Sequence, residues 1–375
     1  MLLVRWSSMI ALGVATVAAS GCDDECADEV GAWVSMTSVG GPLQADALFP
    51  HMVWTGRYAV VWPGDAPGAR RYDPEANEWS PVAVEGAPSG GLSPVWTGTE
   101  LILWGGDQFV LQGGRYDPEQ DAWLPMSLDG APSVRGAPGV VWTGSALLVW
   151  GGVDAEGYPV GGGGRYDPEA DAWSPISEQG APSTRRSPLV LWLGDRMLVA
   201  GGVELVGDAA VTVFDAHSYD PVGDSWEAVP YPDEVPLSSG VPAVWTGDEL
   251  LVMPLEIDSG PPATEVLRFR PGDTEWRTGD TCGAPASFFG SAVWTGTEMI
   301  AWGGIVFNGR GDGYSDEGGL YDPVADHWRQ TSSELAPPGR WVHAAIWTGT
   351  EMIVWGGLDD DGVRDDGRRF VPAQP

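Results

Sequence analysis

The chain has 375 residues, with 53 Asp and Glu against 19 basic side chains, a net charge of −34, 54 Gly, 32 Pro and 21 Trp. Every basic residue is an arginine, which excludes a P-loop, a kinase-type phosphate lysine and Schiff-base chemistry. The charge argues against nucleic acid or anionic lipid headgroups as partners, and a hydrophobic share of 43% excludes a disordered acidic chain.

Residues 1–21 place Arg5 ahead of a short run of small apolar residues and read as a secretory signal, too short for a comfortable membrane span. Ala19-Ser20-Gly21-Cys22 resembles the lipobox of bacterial lipoproteins, in which cleavage precedes a cysteine that becomes the acylated N-terminus. The resemblance implies lipidation at Cys22, a tether over residues 22–30, and an exported body joined to a bacterial membrane by its lipid alone. The alternative is an ordinary cleavage site beside an unrelated cysteine. Several acyl chains on one residue anchor stably where a single chain is marginal. Asp23 and Asp24 leave the leaflet open between the periplasmic and the cell-surface side. Cys26 and Cys282 are too few for a disulfide framework. Export permits a bridge between them, but the expectation is that they stay unpaired.

Over residues 31–375 one unit repeats. Trp-Thr-Gly stands at Trp54, Trp96, Trp142, Trp245, Trp294 and Trp347, with Trp-Leu-Gly at Trp192, seven copies spaced 42 to 53 residues apart. Nine residues after the Trp comes a Gly-Gly pair, beginning at Gly105, Gly151, Gly201, Gly303 and Gly356, with Pro63 and Pro254 in the other two copies. Further on, an aromatic precedes a Trp by seven residues in Tyr72/Trp79, Tyr116/Trp123, Tyr166/Trp173, Tyr219/Trp226, Phe269/Trp276 and Tyr321/Trp328. The second copy predicts four strands, at 92–96, 100–104, 114–117 and 122–127, with an Asp-Pro turn between the last two. Four strands per unit with a period near fifty predict an all-β fold, a seven-bladed β-propeller.

A hydrophobic strand closing in Gly-Gly, followed by Tyr and then Trp, resembles the kelch-repeat family, and the resemblance covers essentially all of residues 31–375. It implies a kelch-type propeller. The seventh unit stops at Phe370 without its outer-strand Trp, while an orphan Ala32-Trp33-Val34-Ser35 stands at the N-terminal end. Trp33 is therefore expected to complete blade seven and close the ring.

Tryptophan invites a sugar-stacking reading, yet nineteen of the twenty outside the signal fall on repeat positions and are assigned to blade packing, leaving Trp341 alone. Asp73, Asp117, Asp167, Asp220 and Asp322 open Asp-Pro turns. The acidic stretches 312–317 and 359–366 match no EF-hand spacing, so no metal and no cofactor is expected. Some kelch proteins resemble galactose oxidase, whose copper chemistry needs a cysteine crosslinked to a tyrosine; only Cys282 could serve, and that chemistry is not expected here.

The resemblance implies that the loops joining second to third strands, and those joining successive blades, share one face. Here the longest run over 203–214, 305–320 and 358–368. Seven residues before the turn Trp stand Arg135, Arg185 and Arg340, followed by Arg186 and Trp341, with Phe288 in the equivalent place of another blade. Two readings stay open for them: arginines paired with the acidic loops, or an aromatic-edged cationic mouth for an anionic group. The functional expectation is a lipid-anchored scaffold for an envelope protein or glycan. Its rivals are an enzyme resembling the periplasmic sialic-acid mutarotases and a structural envelope component.

Overall fold

Apolar runs punctuated by Trp-Thr-Gly, Gly-Gly and Asp-Pro fold into seven antiparallel sheets of four strands, set around an axis as the blades of a propeller. The computed structural model describes residues 29–373 except 43–49, 63–67, 91, 107–109, 208, 234, 254–264, 286, 288 and 308–311. The signal segment, Cys22 and Cys26 lie outside the described residues. Blades 1 to 6 span 51–81, 92–125, 139–175, 189–229, 243–278 and 291–331, and blade 7 combines 344–371 with Ala32–Ser35. Among the described residues no helix is long and apolar enough to cross a membrane.

Second strands such as Ala59–Trp62, Leu147–Trp150 and Met352–Trp355 are buried along their whole length, because neighbouring blades cover both faces of each sheet. That two-sided burial is why they read as unbroken apolar runs rather than alternating ones. Between the third and outer strands, Asp117 Oδ1 accepts from the backbone N–H of Glu119 at 2.8 Å and of Gln120 at 3.1 Å, as an Asp-Pro turn former should.

Contacts between blades repeat with the sequence. Trp62, Trp104, Trp150, Trp302 and Trp355 each meet the outer-strand Trp of the next blade, at centroid distances of 5.6, 5.4, 4.7, 5.3 and 4.5 Å. Such tilted and edge-on pairs contribute roughly 0.5–1.5 kcal/mol each beyond the area they bury. The outer Trp also reaches back: Trp123 Nε1 donates to Ala83 O at 2.6 Å. Beside it, Asp121 accepts both the Tyr116 hydroxyl, at 2.6 Å, and the Ala83 N–H, at 3.0 Å. Asp121 holds φ 50°, and Asn77, Asp171, Asp224 and Asp326 repeat that left-handed backbone in their own blades, a region Asn and Asp tolerate better than most.

Closure follows the expected route. Ala32–Ser35 pairs antiparallel with Gly367–Val371, placing Trp33 opposite Phe370. A second device was not legible in the sequence: Glu29–Val30, within the stretch read as tether, adds in parallel to the outer strand of blade 6. The chain's N-terminal end thus bridges two blades. Cys282 departs from expectation, being disulfide-bonded rather than free; the only other cysteines in the chain are Cys22 and Cys26.

Candidate functional site

The loops between second and third strands and the connections between blades lie on one face, the upper face below. Arg135, Arg185 and Arg340 sit just beneath it but point into the blades, with 5%, 1% and 0% of their surface exposed. Arg135 donates to the carbonyl oxygens of Ser133, Gly151 and Gly162 at 3.0 Å each. Arg185 donates to Gly201 O at 3.2 Å and pairs with Asp215. Arg340 donates to Pro338 O at 3.1 Å, Gly356 O at 3.0 Å and the Asp366 carboxylate at 2.8 Å. Each guanidinium therefore latches the Gly-Gly kink of its own blade to the incoming connection. Ser287 takes the same place in blade 6, its hydroxyl donating to Gly303 O at 2.6 Å.

These groups do not form a cationic mouth: they lie in blades 3, 4 and 7, and oxygens of their own blades and connections occupy most of their donors, with Arg340 Nη2 buried and unpartnered. Burial lowers the Arg135 pKa, with no carboxylate to offset it. For Asp366, burial raises the carboxyl, but Arg340 and then Arg364 outweigh it and hold the group below the ordinary carboxylate range. The next residues extend the latch through backbone bridges, Arg186 to Val203 and Trp341 to Leu358. Arg186 and Trp341 are half-buried, and the Trp341 ring meets Phe289 at 6.3 Å. Phe288 lies outside the described residues.

The axial channel holds a cavity of about 340 Å³. Its described lining is neutral, with Ser93, Ser187 and Ser239 beside proline, valine and leucine, and His51 at one edge. His51 is exposed to the channel yet ringed by protein, which lowers its pKa. Nearby, His343 accepts or donates a 2.8 Å hydrogen bond with Ser291 Oγ and packs against Trp302. A serine beside an imidazole is the start of an acyl-transfer site. Here burial first, and then the Arg340 charge, push the imidazole down to about 3, so it is a weak proton acceptor at neutral pH.

That shift predicts a pH dependence. Between pH 6.5 and about 3 the unfolded chain binds a proton at His343 that the folded protein does not, so stability falls as acid is added through this window. His51 acts in the same direction. Urea midpoints across this range are expected to decline less steeply for His343→Gln than for the parent.

The acidic stretch of blade 7 is occupied by its own arginine. Arg364 lies 3.4 Å from Asp359, 3.6 Å from Asp361 and 3.3 Å from Asp366. Among the described residues no group of three or more His, Cys, Asp or Glu is placed to hold a metal. Cys282, as a disulfide, has no free sulfur for a tyrosine crosslink. Blade 4 departs from the repeat at its interface with blade 5: a fully buried Ala200 stands in place of the second-strand Trp, and Ser218 in place of the third-strand arginine. A cavity of about 420 Å³ opens there, lined by Leu193, Arg196, Ser218, Phe269 and Pro271 among others.

The upper face itself carries small hairpins. Val203–Val206 pairs with Ala209–Thr212 in blade 4, Ile305–Phe307 with Asp312–Tyr314 in blade 6, and Leu358–Asp359 with Gly362–Val363 in blade 7. Sequence reading located these loops by length but missed their hairpin form. The signal was present in blade 4, where Val-Glu-Leu-Val and Ala-Ala-Val-Thr flank Gly207-Asp208. Exposed apolar side chains gather on this face, including Tyr158, Val206, Val211, Phe214, Leu335 and Val363. The opposite face shows Val222 and Val324 at its Asp-Pro turns.

Fold and face together define the class, a seven-bladed β-propeller whose upper loops are latched by buried arginines. No family model matches the chain, and no curated protein matches it in sequence.

Proposed function

We propose that this protein is an exported, lipid-anchored propeller of kelch type that acts as an interaction scaffold for an envelope protein or glycan. The observation that carries the reading is the upper face, where variable hairpins and exposed apolar side chains stand on a closed ring. The lipobox at Cys22 and the Gly-Gly, Tyr, Trp pattern support the address and the repeat type. Because Arg135, Arg185 and Arg340 are committed inside the blades, an anionic ligand loses its expected counterpart, and a net charge of −34 favours a neutral or basic partner. The same burial weakens the mutarotase reading, which relied on those arginines to hold an acidic sugar.

The test is a photo-crosslinking pull-down from native envelope with soluble Cys22→Ser protein, since a chain without lysine offers little to amine-directed reagents. A variant carrying Tyr158→Ser, Leu335→Ser and Val363→Ser is expected to lose the partner. A lower-face variant with Val222→Ser and Val324→Ser is expected to keep it. A partner retained by both variants would place binding away from the upper face, and recovery of none would remove the scaffold reading.

A further inference from the structure

The blade 4 hairpin differs from the others in length and in what it leaves open. Its first strand, Val203–Val206, is anchored: Val203 bridges Arg186 through paired hydrogen bonds of 2.9 and 3.0 Å, and the Glu204 carboxylate accepts from Ser183. Its second strand, Ala209–Thr212, is exposed at every residue. The ladder of blade 4 continues into the hairpin through Gly201 N–H to Asp215 O and Val213 N–H to Gly202 O, 2.9 and 3.0 Å. Among the described residues the outer strand, Ser225–Val229, pairs only with Ala216–Asp220 and does not follow it upward. Among the described residues, Ala209–Thr212 pairs with nothing on its far side.

An open edge of this kind is a template for another strand, and folded proteins usually blunt such edges with charge, proline or a bulge. Ala209–Thr212 has none of these. Val206, Val211 and Phe214, exposed by 62%, 44% and 50%, stand on or beside it. From Val203 to Asp215 the chain has three acids and no base; Glu204 and Asp215 lie against the Arg185 guanidinium, and the body as a whole carries a net charge of −34.

We propose that Ala209–Thr212 is a docking edge to which an extended segment of a partner protein adds as a further strand, and that this segment carries apolar side chains interspersed with basic ones. The backbone of the edge supplies the pairing, Val206, Val211 and Phe214 supply apolar contact, and the net charge of −34 on the body selects for positive charge. A second copy of this chain is disfavoured by the mutual repulsion of two bodies of net charge −34. The inference rests on the scaffold reading and gives it a partner chemistry.

The probe is a short fluorescein-labelled peptide alternating valine or threonine with arginine, titrated into Cys22→Ser protein and followed by anisotropy. Three comparisons are made: an acidic version of the peptide, the basic peptide N-methylated at alternate residues, and protein carrying Val206→Ser, Val211→Ser and Phe214→Ser. The serine changes leave the charge untouched and fall on exposed positions. Each comparison is expected to weaken binding by about tenfold or more, equivalent to ~1.4 kcal/mol. Equal binding of the N-methylated peptide would reduce the attraction to simple electrostatics and overturn the proposal. So would indifference to the serine variant, or no binding of the basic peptide. Dimerisation of the peptide-free protein in sedimentation, abolished by the serine variant, would assign the edge to a second copy and also overturn it. If the peptide fails while the pull-down still yields an upper-face partner, the scaffold reading stands and only the edge-strand proposal falls.

Discussion

Trp33→Ala is expected to destabilise the ring by about 3–5 kcal/mol, the range for deleting a buried tryptophan. Trp33 is 3% exposed, 5.3 Å from Trp302 of blade 6 and 5.2 Å from Phe370 of blade 7. It stands on the only strand of blade 7 that comes from the other end of the chain, so its removal acts on closure as well as on packing. A cavity would open where blades 6 and 7 meet, and the edge of Gly367–Val371 would become easier to expose. The measurement is urea unfolding, read as a lower midpoint with the slope unchanged. Val222→Ala, at a position 94% exposed, is the control and should stay within roughly 0.5 kcal/mol of the parent. A loss below ~1 kcal/mol for Trp33→Ala would show that the outer strand does not carry the closure.

Arg340→Met is expected to cost about 3 kcal/mol, because it removes a fully buried guanidinium, leaves the Gly356 carbonyl without its donor and leaves the Asp366 carboxylate with Arg364 alone. Adding Asp366→Asn to Arg340→Met should recover part of the loss, since the carboxylate that has lost its buried partner is then neutral. Arg186→Met, at a half-buried position in the equivalent of Trp341's place, should have a much smaller effect. The pattern separates two roles. A latch lowers stability when cut, whereas a ligand-binding cation leaves stability nearly unchanged and alters only binding. An Arg340→Met protein as stable as the parent would restore the cationic-mouth reading.

The architecture was legible because a propeller writes its period into the chain. Every blade needs the same turn after its innermost strand and the same aromatic pair between its third and outer strands. Tyr116 and Trp123 therefore recur at one spacing across the units. Trp33 could be assigned to blade 7 because one outer strand was missing from the end of the chain and one was spare at the start.

The arginines were located but not oriented. Their spacing put Arg135, Arg185 and Arg340 just ahead of inner strands, in the connections that lead to Gly139, Leu189 and Ala344, yet spacing says nothing of which way a long side chain turns. The Gly-Gly kink decides that. Gly151 and Gly152 adopt φ 63° and 107°, and Gly201 and Gly202 φ 62° and 90°, conformations that leave carbonyl oxygens without a place in the regular ladder. A buried carbonyl needs a donor, and the guanidinium from the preceding connection supplies several at once. The pairing joins residues distant in sequence, Arg340 with Asp366 for example, so no local pattern announces it.

From the sequence alone came the repeat, the blade number and the closing strand, all properties fixed by local spacing and hydrophobic pattern. The tertiary structure decided where the cations point, that Cys282 is bonded, and which loop edge remains open. Those outcomes depend on the competition among buried polar groups for partners, and that competition takes place only once distant segments of the chain have been brought together.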